Sequence, residues 1–206
     1  MRRKLLTVAV ACALVLPWAG SLEAQVSWEA PLMVAPATPT GWGVYLVDPA
    51  PSGGIGVSST WRPGGDLGYR AGLAEDAEGS FSVFGGVDIS GRLLEHSDDF
   101  PLDVHWVAGA GVGIGDAFLL SFPLGVSFGR DVQVDEVWFN PYVTPRVVLD
   151  GYVGGDGPND DRLSLGVVAD LGVDVSIDPG WAIRFAGSLG SRNRNAVAIG
   201  LSFRVL

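Results

Sequence analysis

From about residue 40 to the end of the chain, apolar residues recur at every second position. The segment Leu102 to Gly115 shows the pattern most clearly. Leu102, Val104, Trp106, Ala108, Ala110, Val112 and Ile114 fall on one face. Asp103, His105, Val107, Gly109, Gly111, Gly113 and Gly115 fall on the other. Side chains alternate across a β-strand, so a period of two predicts a strand with one greasy face and one polar or bare face. The run is longer than the roughly 5–6 residues of an ordinary globular strand. A greasy face on so long a strand is covered either by lipid or by a second packed layer.

The same pattern repeats on both sides of this segment. Trp42, Val44 and Leu46 alternate with Gly43, Tyr45 and Val47, and Ile55, Val57, Ser59 and Trp61 follow. Leu67, Tyr69, Ala71 and Leu73 return after the turn Pro63-Gly64-Gly65-Asp66. Phe81, Val83, Gly85, Val87 and Ile89 oppose Ser82, Phe84, Gly86, Asp88, Ser90 and Arg92. Beyond Gly115-Asp116, a tight turn signal, Phe118 to Phe128 forms another apolar face. Val137 to Leu149, Leu163 to Ile177, Trp181 to Leu189 and Val197 to Val205 continue the series. That is about ten strands joined as successive hairpins, an even number that brings both ends to one side. Eight is the alternative, if the first two runs do not join the wall. Pro123, Pro141 and Pro145 fall within strands; proline cannot donate to the ladder, so bulges are expected there.

The second face decides what covers the first. In a β-sandwich or a soluble barrel the outward face is wet and carries Lys, Glu, Thr and Gln. Here it carries Gly, Ser and Ala with isolated charges of both signs, which suits the cramped inside of a narrow barrel. By parity Arg70, Asp88, Arg92, Asp103, His105, Arg146, Asp150, Asp170, Asp174, Arg184 and Arg204 point inward. Charges in a tight interior must pair, so a lumen network of ion pairs is expected. The apolar face carries Trp42, Trp61, Tyr69, Phe81, Phe118, Phe128, Trp181 and Phe203, many near strand ends. That is the placement of an aromatic girdle at a membrane interface. The predicted fold is all-β, an antiparallel up-and-down transmembrane β-barrel.

The start of the chain supports this reading. Met1-Arg2-Arg3-Lys4, an apolar run from Leu5 to Trp18 and small residues up to Ala24 form a secretory signal. The run falls short of the ~20 residues of a spanning helix. The expected organisation is a signal peptide at 1–24, a Pro- and Ala-rich periplasmic tail at 25–39 and the barrel at 40–206. Cys12 is the only cysteine and lies within the leader, so the mature chain has no disulfide framework and no thiol chemistry. The net charge is −10, which excludes non-specific nucleic-acid binding.

These alternating runs resemble the small outer-membrane β-barrel proteins, the OmpA/OmpX-like group, over residues 40–206. The family's last strand alternates apolar residues and ends on an aromatic. Ile199, Leu201, Phe203 and Val205 keep the alternation, but the terminal residue is Leu206. The resemblance implies a bacterial outer-membrane location, outer-membrane lipids and the barrel assembly machinery as partners, and a monomer. It implies a structural or surface-interaction role with a largely filled lumen. A narrow pore for small solutes is the alternative, supported by the inward glycines.

Enzymes exist on this fold, and a barrel lipid hydrolase or protease is the third reading. Barrel deacylases use His and Ser on one strand face, whereas His105 is followed at that spacing by Val107. His96 stands beside Asp98 and Asp99, which has acid–base potential, but the hairpin count places it at the periplasmic end, unlike the barrel proteases. No catalytic, cofactor or metal site is expected. Gly109 to Gly115 has the period of a strand with a bare face and precedes no helix, so it is not a phosphate loop. Asp156, Asn159, Asp160 and Asp161 match no calcium-loop spacing and read as a solvated loop. Arg192 and Arg194 read as a basic turn.

Overall fold

The computed structural model describes residues 41–48, 54–64, 66–76, 79–115, 118–153, 162–191 and 194–204. The leader at 1–24 with Cys12, the tail at 25–39, Asp156, Asn159, Asp160, Asp161, Arg192 and Leu206 lie outside the described residues.

The described residues form eleven strands: β1 (Gly41–Asp48), β2 (Gly54–Gly64), β3 (Leu67–Asp76), β4 (Phe81–Leu94), β5 (Asp103–Ile114), β6 (Phe118–Gly129), β7 (Val132–Val134), β8 (Val137–Val153), β9 (Arg162–Asp178), β10 (Trp181–Gly190) and β11 (Ala196–Arg204). They form one antiparallel sheet in which β1 to β6 are neighbours in chain order and β1 also pairs with β11. The sheet continues through β10 and β9 to β8, and β8 pairs with β6 to close the ring. Ten strands make the wall. β1 and β2 belong to it, so the eight-strand alternative is excluded. The three-residue β7, which the alternation did not suggest, is a short arm hydrogen-bonded to the start of β8.

Closure places the chain ends of the barrel together, Gly41 opposite Arg204. We call this edge the near rim. It also carries the turns between β2 and β3, β4 and β5, β6 and β8, and β9 and β10. The loops after β1, β3, β5, β8 and β10 form the far rim.

The expected bulges at Pro123, Pro141 and Pro145 are not found. Register runs unshifted through all three, with Pro123 opposite Val148, Pro141 opposite Val173 and Pro145 opposite Ala169. A strand residue directs its N–H to one neighbour only, so proline deletes one bond without adding a residue. The ladder is interrupted instead. Pairing of β6 with β8 lapses at Val126 and Ser127, beside Pro145, and Thr144 Oγ1 bonds Ser127 Oγ at 2.8 Å across the gap. Real register shifts occur at Trp61/Gly64, Arg92/Leu94 and Trp181/Ile183, all at the near rim. Bulges favour barrel rims because an extra residue there disturbs few neighbours.

The barrel is inside-out relative to a water-soluble domain. Among the described residues, forty large apolar side chains are exposed and fourteen apolar residues are buried, while eighteen polar or charged residues are buried. Along β1, Trp42, Val44 and Leu46 face outward, and Tyr45 and Val47 are buried inside. Along β9, Leu163, Leu165, Val167 and Leu171 face outward, and Ser164, Asp170, Asp174 and Ser176 are buried. Among the described residues there is no helix.

Candidate functional site

The lumen is the chemically distinctive part of the molecule, and it is built from large side chains lying over glycines of neighbouring strands. A Cβ on Gly172 would collide with the Tyr142 ring, and one on Gly111 would stand 2.5 Å from the Phe84 ring. Tyr45 covers Gly43 and Gly200 in the same way. The bare inner faces of β5, β9 and β11 at these glycines therefore leave room for an aromatic filling. Tyr45 and Val47 pack with Ala186 and Ala198 into a small apolar cluster.

Three ion pairs climb the wall formed by β8, β9 and β10. Nearest the near rim, Arg184 donates from Nε and Nη2 to Asp174, each at 2.5 Å. Next, Arg146 donates from Nε to Asp170 at 2.8 Å and from Nη2 at 3.1 Å, and Ser188 Oγ donates to the same carboxylate at 2.6 Å. Toward the far rim, Arg194 Nη2 meets Asp150 at 2.5 Å. A fourth pair, Arg62 with Asp88, stands on the opposite wall, with Arg62 also reaching Ser90 Oγ at 3.4 Å. All eight members are buried. Bidentate guanidinium–carboxylate contacts hold both groups in fixed geometry, which a low-dielectric interior requires of charges that stay ionised.

The other inward candidates are distributed differently. Arg70 is half-buried and places its guanidinium 5.4 Å from the Phe84 ring centre. Arg92 is exposed and pairs with Glu95 at 3.2 Å, outside the packed lumen. Asp103 accepts from the His96 backbone N–H at 2.9 Å and lies 3.0 Å from its Nδ1, so it belongs to the near-rim turn. His105 is half-buried on β5, opposite Arg92 and Ser127. For Arg92 and Asp103 the expectation of a place in the packed lumen network is corrected: Arg92 keeps its register opposite His105, but both residues stand at the near-rim mouth and pair with the β4–β5 turn, through Glu95 and His96. Arg204 pairs with Gly41 through its backbone, and its side chain lies outside the described residues.

Two buried cations were not among the candidates. Arg62 shares the parity of Ser58 and Thr60, so its inward direction is readable once β2 is extended past Trp61. Arg194 lies two residues before β11 and shares the parity of the buried Ala196 and Ala198, so its inward direction is readable once that alternation is extended back past Asn195.

Outside, five aromatics are successive register partners on five adjoining strands: Trp181, Phe203, Trp42, Trp61 and Tyr69. The Trp42 and Trp61 rings stack with centres 5.4 Å apart, and Trp61 and Tyr69 with centres 5.3 Å apart. Phe128 lies at the near-rim end of β6, while Phe81 and Phe118 open β4 and β6 at the far rim.

At the near-rim mouth a cavity of about 210 Å³ is lined by Asp131, Trp138, Asn140, Asp174, Ser176 and Pro179. Among the described residues, no group of three or more His, Cys, Asp or Glu is placed to hold a metal ion.

No protein-family model and no curated protein matches the chain. Several solved structures are similar in a limited way, two of them as follows. One is from a de novo design of transmembrane β-barrels, with 16% identity, 82% of this chain and 98% of that chain covered, and a TM-score of 0.35. The other is Ail, the attachment invasion locus protein of Yersinia pestis, in complex with the heparin analogue sucrose octasulfate. It has 12% identity, 80% and 94% of the two chains covered, and a TM-score of 0.28.

Proposed function

We propose that the protein is a small integral barrel of a bacterial outer membrane, plugged by its own side chains and without catalytic activity. Its role is structural or is exercised through its rim loops. One observation carries the reading: a closed wall turns large apolar side chains outward on every one of its ten strands while its buried charges pair inside. Soluble monomers rarely expose contiguous apolar patches above a few hundred Å². A closed sheet leaves no unpaired edge, the condition for strands to cross lipid. The aromatic row supplies an interfacial anchor of the kind found in membrane barrels. Outer-membrane lipids are then the wall's solvent, and the barrel assembly machinery inserts it as a monomer.

The test is fractionation of the expressed full chain. Recovery with outer membranes, extraction only by detergent and a heat-modifiable gel shift are expected. A protein that remains soluble and monomeric without detergent would overturn the membrane reading. Planar-bilayer recording separates plug from pore: silence is expected, and steady single-channel steps would favour the pore.

A further inference from the structure

We propose that the near-rim mouth of the lumen is a binding site for a single pyranose sugar ring. The cavity is about 210 Å³, below the roughly 300–1,000 Å³ of sites for drug-sized ligands. Trp138 and Asn140 lie on the inner face of β8, opposite Ser176 and Asp174 on β9. Pro179 and Asp131 close the sides from the β9–β10 turn and the link into β7.

The decisive group is Asn140. It is 4% exposed, lines the cavity, and neither its Nδ2 nor its Oδ1 has a hydrogen-bond partner among the described residues. A buried amide without partners costs stability, so its retention at the wall of a cavity points to a ligand. The amide offers two donors and one acceptor oxygen side by side, the complement of adjacent sugar hydroxyls or of an acetamido substituent. Ser176 adds a hydroxyl whose proton is committed to the backbone oxygens of Asp178 and Trp181, at 2.6 and 2.8 Å. Its oxygen is therefore left as an acceptor. Trp138 is 46% exposed at the opening, a flat apolar surface of the size of a sugar ring.

The other charges near the cavity argue against an anionic ligand. Asp174 is committed to Arg184 and Asp131 adds a second carboxylate. A neutral, hydroxyl-rich ring with one apolar face fits this lining better than a phosphate or a carboxylate. The proposal does not depend on the membrane or plug reading, since it concerns only the mouth.

The experiment uses the refolded full barrel in a detergent without a sugar headgroup, isotopically labelled for NMR. N-acetylglucosamine, glucose and a β-linked N-acetylglucosamine trimer are titrated separately, with myo-inositol as a polyol that is not a pyranose. Saturable shifts of the Asn140 side-chain amide signals and a change in Trp138 fluorescence are expected with at least one sugar. Binding of the trimer but of neither monosaccharide identifies the ring as part of a glycan. Asn140→Leu keeps the branching of the side chain at slightly greater bulk and removes the unpartnered amide, so it folds, and its affinity falls by roughly tenfold or more, about one hydrogen bond. Trp138→Ala weakens binding comparably. No saturable shift with any sugar overturns the proposal. So does inositol binding as well as the sugars, or sugar binding unchanged in Asn140→Leu.

Discussion

Arg194 lies flat across Gly166. A Cβ on Gly166 would stand 2.5 Å from Arg194 Nε and 3.1 Å from its Cζ, and the guanidinium passes over β9 at this point to meet Asp150 on β8. A residue with no side chain is therefore what lets a cation from the segment before β11 reach an anion two strands away.

The first prediction follows from that contact. Gly166→Ala evicts Arg194 and leaves Asp150 buried without its partner, costing about 3–5 kcal/mol, as for breaking any buried pair. This runs against strand propensity, which favours almost any residue over glycine. Urea unfolding in detergent micelles, followed by tryptophan fluorescence, checks it. Arg194→Ala should cost a similar amount, and the double variant should lose little more than either single one.

A second prediction concerns the pair at the near-rim end of the ladder. Asp174→Asn strands the Arg184 guanidinium in the lumen and destabilises the barrel by about 3–5 kcal/mol. The double variant Asp174→Leu with Arg184→Met removes both charges and recovers most of that loss. The same unfolding measurement decides. A double variant as unstable as the single one would mean that the pair contributes more than mutual neutralisation.

The wall can be probed at Leu201, which faces outward at mid-strand, 42% exposed and opposite Val44 and Ile183. Leu201→Arg should destabilise the protein by about 2–4 kcal/mol in lipid bilayers, the cost of a cation on a lipid-facing strand near the midplane. Ser202→Ala, one residue on and facing inward, should cost about 1 kcal/mol or less. Equal effects at the two positions would contradict an apolar environment outside the wall.

The aromatic filling makes a prediction about conduction. Tyr45, Phe84 and Tyr142 are buried in the lumen over glycines of adjacent strands. Replacing all three with Ala should convert an electrically silent barrel into one showing discrete steps in planar bilayers. The wild-type protein under the same conditions is the control.

Much of this architecture is legible in the chain itself. Strand side chains alternate with a period of two, so knowing that Leu163 faces one way obliges Ser164 to face the other, and the inward set Arg146, Asp150, Asp170, Asp174 and Arg184 follows from counting. The outward aromatics Trp42, Trp61, Trp181 and Phe203 follow from the same count. Parity gives direction but not depth or partner. Arg92 keeps the register of the inward face opposite His105 yet stands at the mouth and pairs with Glu95, and Arg194 shares the parity of Ala196 and Ala198 although it lies before β11 begins, with its partner Asp150 not readable from the count. The prolines misled for a different reason: Pro123 and Pro145 each delete a bond toward one neighbour while leaving the register intact, so the chain shows the interruption but not its harmlessness.

By itself the sequence determined the direction of each regular side chain, because alternation is a local property of the extended backbone. Which charge meets which was decided by the tertiary structure. Arg62 reaches Asp88 across β3 because Gly68 lies between them without a side chain, and Arg194 reaches Asp150 across β9 because Gly166 does the same. Those meetings depend on how the ten strands are staggered when the ring closes, a quantity set by all of them together. The mouth at Trp138 and Asn140 arises in the same way, from β8 running past the end of β6, whose last partner on it is Tyr142, with β9 alongside.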